Sequence, residues 1–96
     1  MVIPFTPASG TFAGTAQLTA GRRALCPNTL QVRDFVVNGD RVRFRAFRGT
    51  IQSNGFLQMQ AGLSYVYGIF DGDRFTGSFW DPPPGCAYDV VLDRTG

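Results

Sequence analysis

The chain has 96 residues, of which 44% are hydrophobic and only 17% charged. That is enough for one small folded domain and too apolar for a disordered chain. All nine basic residues are Arg and all seven acidic ones Asp, with Lys, Glu and His absent, so a Lys Schiff base, a His general base, Ser-His-Asp and Cys-His sites and any His-ligated metal are excluded.

The net charge of +2 is too small to point to nucleic acid. No run of about eighteen apolar residues occurs, so no transmembrane segment is expected. Twelve glycines and six prolines supply turns throughout, and no stretch carries a helical period.

Residues 1–10 (MVIPFTPASG) read as an extended lead-in, and residues 11–96 as a single β domain. Thr11–Thr19 forms the first strand, followed by an irregular connection that contains Cys26 and Pro27. Leu30–Val37 and Arg41–Phe47 then flank Asn38-Gly39, a dipeptide suited to the positive φ angles of tight hairpins. Val42, Phe44 and Ala46 alternate with Arg41, Arg43 and Arg45, the period of a half-buried strand. A two-residue loop at Asn38-Gly39 sets Asp34 opposite Arg43 on the outer face.

A second hairpin joins Gly49–Gln52 to Phe56–Ala61. A three-residue loop, Ser53-Asn54-Gly55, keeps Ile51, Leu57 and Met59 on one face. A third joins Leu63–Phe70 to Arg74–Trp80 around Asp71-Gly72, with Gly68 and Gly77 interrupting its strands. Ala87–Arg94 is the eighth strand. Along these strands Phe12, Leu18, Phe35, Val37, Phe75, Ile69 and Val91 join the inward set.

Eight sequential strands with short links form an antiparallel up-and-down meander. Closure into a β-barrel removes its two free edges; a two-sheet sandwich is the alternative. Closure also brings the first strand beside the last, which places Cys26 and Cys86 at one seam and predicts a disulfide between them. A disulfide favours a periplasmic or secreted protein. In outline the meander resembles the avidin-like and lipocalin-like barrels and the periplasmic metalloprotease inhibitors of bacteria. That likeness is of architecture and carries no residue across.

Three groups stand out as candidate binding residues. Trp80 precedes a run of three prolines, a rigid setting for a residue common at binding hot spots or, equally, a lid over the core. Tyr65 and Tyr67 can join it in an aromatic platform. Arg41, Arg43 and Arg45 lie in a stripe of five arginines between Arg33 and Arg48, suited to oxyanions or to a plain solvated face. No nucleophile has an adjacent base, no carboxylate set has metal-ligand spacing, and no cofactor is expected. The expected function is therefore a non-catalytic cell-envelope binding module for a protein partner, in the manner of an inhibitor. A carrier of a small apolar ligand in the barrel lumen, or an accessory domain of a larger secreted protein, are the alternatives.

Overall fold

A computed structural model of the chain describes residues 9–82 and 85–96; the lead-in through residue 8, and Pro83 and Pro84, lie outside them. Eight strands follow in order: β1 (Gly10–Ala20), β2 (Thr29–Asn38), β3 (Arg41–Phe44), β4 (Phe47–Thr50), β5 (Phe56–Ala61), β6 (Ser64–Asp71), β7 (Arg74–Asp81) and β8 (Cys86–Arg94). They form one antiparallel sheet in the order β4-β3-β2-β1-β8-β7-β6-β5, curled into a nearly closed barrel. First and last strands are paired along nearly their whole length, from Phe12 opposite Arg94 to Ala20 opposite Ala87.

Most of the hairpins are built on one device. Two-residue loops begin at Gly39, Arg45, Gly62 and Gly72, and each of these residues has a φ between 51° and 65°. A positive φ at the first loop position suits the right-handed twist of the flanking strands. The first loop is therefore Gly39-Asp40, closed by Asn38 opposite Arg41, and not Asn38-Gly39. The shift moves the register by two residues, so Phe35, Val37, Val42 and Phe44 stay inside, but Arg43 faces Val36 instead of Asp34.

The expected strand from Arg41 to Phe47 is instead two strands. Arg45-Ala46 is a turn, and it makes Phe44 and Phe47 cross-strand partners on the same inner face. An unbroken strand with Phe44 inside would have put Phe47 in water, and burying a Phe outweighs the cost of one non-glycine residue at positive φ. Arg48 braces this turn, its Nη1 donating to the carbonyls of Arg45 and Phe47 at 3.1 and 2.9 Å. The Arg45 guanidinium lies 5.0 Å from the Phe44 ring centroid.

Arg33 and Asp34 both face outward, where a bulge sets them against one residue, Ala13, between the pairs Phe12–Phe35 and Gly14–Val32. Two further expectations are corrected. Ile69 and Val91 are exposed, while Val66, Phe70, Tyr88, Val90 and Leu92 point inward. The three-residue loop Ser53–Gly55 forms, with the Gln52 amide donating to Phe56 O at 2.8 Å, but no ladder continues from it. Leu57 and Met59 reach across the β4–β5 seam instead, so a Cβ on Gly49 would come within 2.5 Å of Met59 Cγ.

Two aromatic clusters fill the barrel. Phe12, Phe35, Phe70 and Phe75 meet towards the end that holds the chain termini, with Phe70 and Phe75 centroids 4.9 Å apart. Phe44, Phe47, Phe79 and Tyr88 meet towards the other end, where the Cys26–Cys86 disulfide ties the loop after β1 to the start of β8. A partly open apolar pocket beside Phe35, Phe44 and Phe79 holds about 10 Å³, room for one water at most. A drug-sized ligand needs roughly 300 Å³ or more.

Candidate functional site

With the lumen filled, the outer surface is where this chain can meet another molecule. Strict alternation along β6 turns Tyr65, Tyr67 and Ile69 outward, and alternation along β7 does the same for Ser78 and Trp80. The register then assembles them. Tyr65 stands opposite Trp80 and Gln60, Tyr67 opposite Ser78 and Gln58, and Trp80 opposite Ala87 on β8. Together Tyr65, Tyr67, Trp80, Gln58, Ser78 and Thr19 line an open concavity of about 480 Å³ on the outer face of the sheet.

The groove has three relevant properties. Its aromatic rings remain accessible, with Tyr67 48% and Trp80 38% exposed. None of the residues that line it carries a charge. Its hydroxyl and amide groups (Gln58, Ser78, Thr19) surround the rings, offering donors and acceptors beside apolar surface. Trp80 therefore sits on the outer face and does not close the barrel end as a lid over the core. Its indole ring lies against Gly85, where an added Cβ would come 3.1 Å from Cη2, and Gly85 itself has a φ of +95°. The glycine thus both makes the chain reversal and gives the ring its seat.

Tyr88 borders the groove from inside. Its hydroxyl donates to Pro27 O at 2.9 Å, and its pKa is raised, first by burial and then by the negative charge of Asp81. Its hydroxyl thus ties the start of β8 to the connection after β1.

Arg41, Arg43 and Arg45 lie elsewhere. They belong to the β3–β4 hairpin, separated from Tyr65, Tyr67 and Trp80 by β2, β1 and β8 in one direction and by the β4–β5 seam in the other. Arg41 faces Thr50, and Arg43 faces Arg48 directly across the ladder. No carboxylate comes within ion-pairing distance of these arginines among the described residues, where Arg74–Asp93 is the one salt bridge. The candidate binding residues thus form two separate surfaces, one aromatic and uncharged, the other cationic.

Sequence reasoning missed Gln58 and Ser78 in the groove, and Leu25, Leu63, Ile69 and Val91 as exposed apolar residues. Nothing marks a lone Gln or Ser as a groove residue before the register is known. No protein family, curated protein or solved structure matches this chain.

Proposed function

We propose that this domain is a non-catalytic binding module of the cell envelope that recognises a protein partner through the outer groove of β5–β8. The observation that carries the reading is the cross-strand set Tyr65, Tyr67 and Trp80, exposed together in a groove whose lining residues carry no charge. Tyr and Trp bring large contact area at small entropic cost, and they dominate measured hot spots. An uncharged groove with amide and hydroxyl rims suits a neutral, mixed apolar and polar segment of a partner. The filled lumen supports this reading over carriage of a small apolar ligand. The Cys26–Cys86 disulfide supports a periplasmic or secreted location, because such bonds persist in oxidising compartments.

The test compares immobilised wild-type protein with a Tyr67→Ala/Trp80→Ala variant, each exposed to an envelope extract. A defined partner held by the wild type and released by the variant, at unchanged thermal stability of the barrel, is the expected result. Equal retention by both proteins defeats the proposal.

A further inference from the structure

We propose that the disulfide end of the barrel docks on an anionic lipid bilayer. Alternation of strand direction gathers the β1–β2, β3–β4, β5–β6 and β7–β8 connections at this one end. The two most exposed large apolar residues of the described chain both sit in those connections: Leu63 at 67% and Leu25 at 56%. Neither is needed by its loop. The Gly62-Leu63 turn requires only the positive φ of Gly62, and its second position ordinarily takes a polar residue. Leu25 is held in the open by the turn that its own amide closes on Arg22 O, at 2.9 Å, beside the buried Cys26.

Charge at this end has one dominant sign. Arg22 and Arg23 share the loop with Leu25, Arg45 occupies the β3–β4 turn, and the Arg48 guanidinium folds back onto that turn. Asp81 accompanies them and accepts a hydrogen bond from Ser64 Oγ at 2.8 Å, and exposed Asp89 lies one outward position further along β8, opposite Ser78. The turns at the opposite end carry Asp40 and Asp73 instead. Just behind the leucines, Tyr65 and Trp80 share a cross-strand rung at the start of β6 and the end of β7.

Exposed leucines at loop tips, guanidiniums around them and a Trp–Tyr rung one step behind match the layers of a bilayer surface. Leucines reach the acyl boundary, arginines meet lipid phosphates, and amphipathic rings sit at headgroup level. Charge complementarity selects an anionic bilayer over a neutral one. The placement shares Tyr65 and Trp80 with the proposed groove, but Leu25 and Leu63 do not line the groove, so the leucine variants test the docking apart from the groove partner.

The experiment is flotation of the disulfide-intact protein with vesicles of phosphatidylcholine alone, or mixed with phosphatidylglycerol. Binding to the mixed vesicles, weakened by added salt, with a blue shift of Trp80 emission, is expected. Leu25→Ser with Leu63→Ser should lower partitioning by about tenfold per leucine, from the apolar area withdrawn. Arg22→Gln with Arg23→Gln should lower it by about fivefold per cation. All four positions are exposed, so thermal melts should be unchanged and failed folding is separable from failed docking. Absence of flotation with the anionic vesicles overturns the proposal, as does binding that is indifferent to the leucines. A dimer in size exclusion that Leu63→Ser dissociates would assign the leucines to a second copy of the chain, and equally overturns it.

Discussion

Gly68 and Gly77 stand directly opposite each other across β6 and β7. A Cβ on Gly68 would lie 2.6 Å from the Gly77 Cα and 2.7 Å from Phe75 Cζ, so the pair allows a backbone approach that no side chain permits. The Phe75 ring, fully buried, uses the space over Gly68 to reach Phe35 at 5.0 Å. Two interrupting glycines in adjacent strands are thus one packing feature.

Gly77→Ala should therefore destabilise the barrel, although Ala is ordinarily the better strand residue. The added methyl meets the Tyr67 carbonyl and the Gly68 backbone, neither of which can swing away. Overpacking of this kind costs about 1–3 kcal/mol. Urea melts of the variant check it, and a midpoint equal to the wild type's would show that the sheet yields more easily than its register implies.

The β3–β4 hairpin separates packing from charge. Phe44 is buried against Phe35, Phe47 and Phe79, with centroids 5.8–6.4 Å away, and Phe44→Ala should cost roughly 3–5 kcal/mol. Arg43 is exposed and faces Arg48, and like charges directly opposite are mildly destabilising. Arg43→Ala should be neutral or slightly stabilising. The same melts decide between the two, and a loss at Arg43 matching that at Phe44 would mean that the hairpin faces the other way.

Residue types on the two faces explain which parts of the fold were legible beforehand. In β3, and in β5 beyond Phe56, one face is polar, so Val42, Phe44, Leu57 and Met59 declare the inside. In β6 the outward Tyr65, Tyr67 and Ile69 are as apolar as the inward Val66, Gly68 and Phe70, and in β8 the outward Val91 stands between Val90 and Leu92. Alternation cannot assign a face there, and these strands border the groove. The turns at Gly39, Gly55 and Gly72 were announced by their Asn-Gly and Asp-Gly dipeptides, although the loop at Gly39 begins one residue later than expected. The turn at Gly62 has no such dipeptide, and the turn at Arg45 exists because of the tertiary burial of Phe47, with no turn residue to announce it. Aromatic candidates in β6 and β7 could be named from sequence, but their union needed the register that sets Tyr65 against Trp80.

Cys26 and Cys86 are bonded across sixty positions, with Cα atoms 5.8 Å apart. Closing a loop of that length restricts the unfolded chain by about 4 kcal/mol in the chain-entropy treatment. Cys26→Ala with Cys86→Ala should lose most of that stability, adjusted by the small change in packing at two buried positions. Intact mass should show two alkyl groups only after reduction. Alkylation without reductant, in denaturant, would remove the bond and with it the support for an oxidising compartment.

The last prediction concerns alkaline pH. An unperturbed Tyr ionises near pH 10, and burial together with Asp81 raises the Tyr88 value above that in the folded barrel. The native state therefore keeps the phenol proton at pH values where the unfolded chain has released it. Stability from this source is complete below about pH 10 and disappears as pH climbs through the folded value. Tyr88→Phe cannot titrate, and it leaves the Pro27 carbonyl without its donor, which should cost about 1–3 kcal/mol at neutral pH. The stability gap between wild type and Tyr88→Phe should thus be largest at neutral pH and narrow above about pH 10 as the wild type loses its advantage. Denaturant midpoints of both proteins along an alkaline series measure the gap directly. A gap that stays constant through that range would mean that Tyr88 titrates alike in the folded and unfolded chains, and that its burial beside Asp81 imposes no cost on the phenolate.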